Sequence, residues 1–428
     1  MRIVVYGLWH LGCVTAACLA RAGHVVAGVD PNAQVIDDLR RGQPPLHEPG
    51  LSELIRAGLA SKQLSFHTES AAALGDADIL WVTFDTPVNE QDEANVAFVR
   101  AQLEAIGPYL KPGTLLLLSS QVPVGFTRAL RRDWSGRGAR FAYSPENLRL
   151  GKAIDVFCNP ERVILGIEDD ADRPRLADLF SPFCSHLEWM SLESAEMTKH
   201  ALNAFLAMSV TFINEVARLC EEVGANAKEV ERGLKSEGRI GPRAYLSPGA
   251  AFAGGTLARD LRFLMQRGRD LQVPTPLLQG VLESNEVHKS WVRERVEQLL
   301  ADIEQPIVAV LGLTYKPGTN TLRRSSAIEL CRWLHERGVR VRGHDPAVFA
   351  LPPELHCVVE LTSGPLDALN GSHLAVIATE WPGFRDLRPA DVNARMRQPC
   401  VIDPNHFLAD VLGNDPRIYY LATGKRAA

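Results

Sequence analysis

Short apolar runs alternate with helical periods through the first part of the chain. Residues 2–6 form a β-branched run, residues 7–12 a turn, and residues 11–22 keep a helical period that Gly23 closes. A second apolar strand over residues 24–29 ends at Asp30. Further strand-like runs lie at 78–84, 114–119 and 162–165, each after a helical stretch except the last. This alternation predicts a parallel sheet covered by helices on both faces.

From Ser194 to Gly224 the pattern changes. Met197, Ala201, Leu202, Phe205, Met208, Phe212, Val216, Leu219 and their neighbours hold a helical period without an internal Gly or Pro. So long a helix suits a spine joining two domains, or a subunit interface. More helical sequence runs to about Leu300, interrupted by the Gly- and Pro-containing stretch 238–255. Near Pro306 the α/β alternation restarts, with strands at 307–311, 339–344, 374–378 and 401–402 and a helix at 326–338. The second of these strands again ends in an aspartate, Asp345.

Composition narrows the class. With 428 residues the chain is too long for one core, and 46% hydrophobic with 23% charged residues argues against general disorder. A net charge of −5 and a pI near 6.2 argue against a broad nucleic-acid-binding face. No apolar run is long enough for a membrane span, and the start of the chain lacks a signal peptide's pattern, so a cytoplasmic enzyme is expected. Cysteines 13, 18, 158, 184, 220, 331, 357 and 400 form no C-x-x-C pair and read mostly as reduced core thiols. The histidines show no metal-ligand spacing, so no metal is expected.

Four segments carry candidate chemistry. The turn Gly7-Leu8-Trp9-His10-Leu11-Gly12, with Asp30 beyond it, has the outline of a dinucleotide fingerprint. Its first Gly makes the turn, its last lets helix and strand approach, and Asp30 favours NAD over NADP. Trp9 occupies the middle glycine position, where an indole must point away or displace the cofactor. The plainer reading is an ordinary βα turn ending in an aspartate.

Pro145-Glu146 in the second segment offers an acid/base or an acid at a helix start. Lys199 and Asn203 in the third lie four residues apart and share a helix face, amid apolar neighbours. The fourth, 249–260, is a glycine-rich loop entering a helix through Thr256, Arg259 and Asp260; it reads as an anion cradle or a capped connection.

These pieces, with others in a fixed order, resemble the UDP-glucose/GDP-mannose dehydrogenase family over essentially the whole chain. The order includes Pro45-Leu46-His47-Glu48-Pro49-Gly50-Leu51, Thr86-Pro87, Val122-Pro123-Val124-Gly125, and Pro145-Glu146 through Pro160-Glu161-Arg162-Val163. It continues with Ala195-Glu196-Met197-Thr198-Lys199, Phe212-Ile213-Asn214-Glu215, Arg239-Ile240-Gly241 and Tyr245-Leu246. Gly312-Leu313-Thr314-Tyr315-Lys316-Pro317-Gly318-Thr319, Arg323 and Thr379-Glu380-Trp381 complete it.

The resemblance implies an α/β fold of two Rossmann-like doubly wound parallel-sheet domains joined by a long central helix. Its expected domains are an NAD-binding domain at 1–190, a helical linker that dimerises at 191–300, and a nucleotide-sugar-binding domain at 301–428. Members oxidise a sugar C6 alcohol in two hydride transfers, through a cysteine-bound thiohemiacetal. By position, Lys199 stabilises charge on the C6 oxygen, Asn203 and Asp260 position water or the alcohol, and Glu146 serves the hydrolytic half. Gly7, Trp9, His10, Leu11, Gly12, Asp30, Thr86, Gln121 and Arg323 form the implied NAD set. Leu148, Arg149, Tyr245, Phe252, Gly254 and Lys316 would hold the nucleotide sugar, with Arg239 reaching it from a second subunit.

The departures cluster by chemistry. Thr256 stands where the family places its nucleophilic cysteine, Arg259 replaces a lysine, Leu150 an acid, and Asn405 an arginine. Trp9, Asp85 and Gln121 depart at the cofactor end. A thiol readily gives a nucleophilic thiolate, whereas an alcohol needs a dedicated base. The first-hydride residues survive, so the expectation is a single two-electron oxidation of a nucleotide-linked sugar to an aldehyde or ketone. A non-redox nucleotide-sugar-binding or regulatory protein is the alternative, and a four-electron enzyme using Thr256 as nucleophile a third.

Overall fold

The β-branched run after the first residue becomes strand β1 (Arg2–Tyr6), and the turn at Gly7 hands it to the helix His10–Arg21. The computed structural model describes every residue except 70–72, 88–93, 147, 254 and 426–428. The strands that follow are β2 (Val25–Val29), β3 (Leu64–His67), β4 (Ile79–Val82), β5 (Leu115–Leu118), β6 (Arg140–Tyr143), β7 (Val163–Ile167) and β8 (Leu187–Met190). They form one sheet in the order β3-β2-β1-β4-β5-β6-β7-β8. Strands β4 and β5 read Ile-Leu-Trp-Val and Leu-Leu-Leu-Leu and are buried throughout, as a strand covered on both faces must be. Every pairing is parallel except β6 with β7, where Ala142 faces Ile167 antiparallel. Strand–helix alternation predicts an all-parallel sheet; the one reversal sits where the Pro145–Pro160 segment replaces a simple crossover.

The second sheet comprises β9 (Ile307–Leu311), β10 (Arg340–His344), β11 (Glu360–Leu361), β12 (Leu374–Ile377), β13 (Cys400–Ile402) and β14 (Tyr419–Leu421). Its order, β11-β10-β9-β12-β13-β14, is parallel throughout. Both sheets change direction beside their first strand, the switch point at which ligands gather in such folds.

Between them in sequence runs the helix Leu192–Val223, 32 residues long. By compactness the chain divides into Met1–Leu202 with Arg262–Gln272, and Asn203–Leu261 with Val273–Ala428, so this helix contributes residues to both units. Its first turns are fixed by Glu196, fully buried, which accepts from the backbone N–H of Gly125 and Thr127 and from the Thr127 hydroxyl at 2.6 Å. Burial raises that carboxyl's pKa against the pull of these donors. Further on, Glu221 accepts from the Trp291 indole at 2.9 Å and the Gly424 N–H at 2.7 Å, fastening the helix Pro276–Leu300 and the chain's last turn to it.

Candidate active site

In the first unit, Gly7 has φ +99°, and a Cβ there would strike Phe84. A Cβ on Gly12 would lie 1.9 Å from the Gly7 carbonyl oxygen, so only glycine lets helix and strand pack this closely. Trp9 between them has ordinary extended backbone and a side chain 46% exposed, so the indole neither distorts the turn nor fills it. Asp30 closes β2 half-buried, its Oδ2 accepting from Leu8 N at 2.8 Å and its Oδ1 from Asn32 N at 2.9 Å. The carboxylate thus lies beside the turn with lone pairs to spare for ribose hydroxyls. Leu11 is buried beneath it, and buried Thr86 gives its hydroxyl to the Gln121 carbonyl. Turn, helix N-terminus and acid together fit a dinucleotide.

Also in this unit, the Lys199 ammonium donates to the Glu146 carbonyl oxygen. Glu146 lines a pocket of about 570 Å³ with Trp81, Phe157 and Arg162. Leu148 is partly buried and Arg149 exposed; Asn147 between them and Glu146 lies outside the described residues.

In the second unit, Asn203 is buried and its amide donates to the carboxylate of Asp260, which is fully buried. Thr256 opens the helix Thr256–Asp270 as its exposed first residue, one turn before Asp260 on the same face. A helix N-terminus lowers a thiol's pKa but does little for an alcohol. Gly255 before it has φ +107°; Gly254 lies outside the described residues.

Side chains spread over the sequence hold the loop leading there. Asn214 accepts from Gly249 N at 2.9 Å and donates to the Ala250 carbonyl at 3.3 Å. Asn405 accepts from Ala250 N at 2.7 Å, and Asn285 bonds both the N–H and the carbonyl of Phe252 at 2.9 Å. His288 Nε2 donates to the Gly249 carbonyl at 2.8 Å; burial lowers the ring's pKa. Ala250, Phe252, His288 and Asn405 line a pocket of about 820 Å³ with Trp291, Ser326 and Ile377. Asn285 and His288 were not candidates in the sequence, since a lone polar residue on a helix carries no periodic signal.

Lys316 is partly buried and Arg323 exposed, on the segment after β9. Tyr245 is 59% exposed, and Arg239 is exposed and paired with Glu237 at 3.0 Å. Among the described residues no group of three or more His, Cys, Asp or Glu is arranged to hold a metal. Six cysteines are buried; Cys357 is exposed and Cys158 partly so. Cys158 departs from the expectation of inert thiols: a hydrogen bond with Cys18, and the Arg21 guanidinium at 2.5 Å, hold its pKa down to about 7.

Comparison with known proteins places the chain. Residues 1–184 match the NAD binding domain of the UDP-glucose/GDP-mannose dehydrogenase family, 193–287 its central domain and 309–410 its UDP binding domain. The chain belongs to that family. It is 33% identical to a UDP-glucose 6-dehydrogenase of Pseudomonas aeruginosa, covering all of this chain and 98% of that one. UDP-glucose 6-dehydrogenase TuaD of Bacillus subtilis is 31% identical, over 95% and 90% of the two chains. A UDP-glucose dehydrogenase structure from Pyrobaculum islandicum superposes with a TM-score of 0.87 at 29% identity, covering 99% and 98%. The first unit therefore carries the family's NAD-binding domain, as its glycine turn and Asp30 suggest. No described helix is long and apolar enough to cross a membrane.

Proposed function

We propose that this chain is an NAD-dependent nucleotide-sugar dehydrogenase that carries out one two-electron oxidation of a sugar alcohol, at C6, and releases the carbonyl product. The observation that carries this is the helix start at Thr256, where a hydroxyl stands on the face of the buried Asn203–Asp260 pair. The names of its relatives make UDP-glucose the first substrate to try.

When bound, NAD accepts the hydride lost by the carbinol carbon; Gly7, Gly12, Asp30 and Thr86 would hold it, with Arg323 in support. The carbinol proton has to leave as well. Asp260, kept dry and oriented by the Asn203 amide, is the group that takes it or orders a water that does. Lys199 supplies positive charge for the oxygen as it becomes anionic. By family position, Leu148, Arg149, Tyr245, Phe252 and Lys316 would hold the nucleotide sugar. Capture of the carbonyl would need a nucleophile at position 256, and an aliphatic hydroxyl, far less acidic than a thiol, is a poor one. Glu146 is then left without an acyl intermediate to hydrolyse.

The helix Leu192–Val223 exposes Phe205, Phe212 and Leu219, seven residues apart, with Val223. This apolar stripe supports a homodimer in which Arg239 serves the partner's site; light scattering of the purified chain reads its mass. The principal test is Thr256→Cys. With NAD and UDP-glucose, wild type should yield one NADH per sugar, and the variant should move toward two with uronate formed. Two NADH per sugar from wild type would sink the reading.

A further inference from the structure

Glu48 is 3% exposed and has no assigned role in the chemistry above, yet its carboxylate gathers three donors. Oε2 accepts from His10 Nε2 and from Gly151 N, both at 2.8 Å, and Oε1 accepts from Ala153 N at 2.9 Å. His10 is the first residue of the helix His10–Arg21, beside Trp9 in the glycine turn. Gly151, with φ +84°, follows directly on Leu148, Arg149 and Leu150. The post that carries the carboxylate is itself fixed. Glu48 lies between Pro45 and Pro49, and its carbonyl accepts from Leu51 N at 3.1 Å at the start of the helix Leu51–Ala60.

We infer that Glu48 is a positioning residue that braces the cofactor turn, through His10, to the segment 148–153, so that NAD binding orders the sugar-lining backbone. Only a carboxylate can do this. One oxygen is shared by donors from the turn and from the segment, so the two cannot shift independently without breaking a buried, charge-assisted bond. A helix cap alone would need Gly151 and Ala153 but not His10. The inference rests on the reading of Leu148 and Arg149 as sugar-lining residues and of Gly7–Gly12 as the NAD turn.

Hydrogen–deuterium exchange of the full-length protein tests it, with and without NAD at an occupancy verified by calorimetry. In wild type, NAD should slow exchange in 148–153 about fivefold or more. His10→Phe keeps a ring and both backbone bonds to Glu48; compared with wild type at matched NAD occupancy, the NAD-dependent slowing of 148–153 should disappear. Glu48→Gln, which cannot accept from all three donors, should speed exchange there even without NAD. The brace is overturned if NAD binds but leaves 148–153 unchanged in wild type, or if His10→Phe keeps the full NAD effect. If wild type fails to bind NAD at all, the cofactor reading falls and the brace with it.

Discussion

The two sheets begin alike and end differently. Each has a strand, a glycine with positive φ (Gly7 at +99°, Gly312 at +88°), and a neighbouring strand closed by an aspartate. In the first sheet the helix starts three residues after the glycine, and Asp30 is half-buried with two backbone partners. In the second the helix starts only at Ser326, and Asp345 is 3% exposed and saturated. Asp345 accepts from Leu313 N at 2.7 Å, Thr314 N and Oγ1 at 2.9 Å, Trp381 Nε1 at 3.0 Å and Ala347 N at 2.9 Å. One acid has two backbone donors and the other five donors, all from its own domain's loops. The same strand-glycine-aspartate pattern thus carries two different environments, and the donors around the carboxylate tell them apart.

The largest contrast should come from removing each acid. Asp345→Ala strands several buried N–H groups and should cost about 3 kcal/mol or more in chemical denaturation. Asp30→Ala should cost about 1 kcal/mol in stability but weaken NAD binding by roughly tenfold or more in calorimetry. Equal stability losses would erase the distinction.

A smaller effect concerns protons. Burial lowers the pKa of His288 and His406, which donate to the Gly249 and Thr423 carbonyls in the second unit. Below the ordinary value of 6.5 the unfolded chain takes up protons that these folded rings resist, so stability is full above that pH and falls beneath it. Each ring contributes up to about 1.4 kcal/mol per pH unit. Melting temperatures from pH 8 to 5 should decline on the acid side, less so in His288→Gln and His406→Gln; a flat profile in wild type contradicts this.

Thiol reactivity should separate Cys158 from the buried thiols of the second unit without touching stability. Cys158 in the first should alkylate with a midpoint near pH 7, whereas burial pushes Cys331 and Cys400 in the second up to about 12. Peptide mapping after a brief iodoacetamide pulse at pH 7 reads this, and labelling of Cys331 before Cys158 would refute it.

Much of this was legible in the chain itself. The apolar runs of β1, β4, β5 and β9 declare themselves because burial on both faces of a sheet demands it, and the central helix declares itself by its unbroken apolar period. Strands β3, β6, β8, β11 and β14 did not: they are two to four residues long and carry charged, imidazole or hydroxyl side chains that only their neighbours justify. Lys199, Asn203, Asp260 and Thr256 were found through motif order. The grip of Asn214, Asn285, His288 and Asn405 on the glycine-rich loop arises from residues far apart in sequence. Glu48 stood in a quoted motif, but its three donors exist only once the chain is folded.

The most direct measurement is the mass of the product released when wild-type protein consumes a nucleotide sugar with excess NAD. A product lighter than the substrate by two hydrogens, with position 256 unmodified, is what a hydroxyl at that helix start predicts. A nucleotide uronate, or a sugar ester on Thr256, would contradict it.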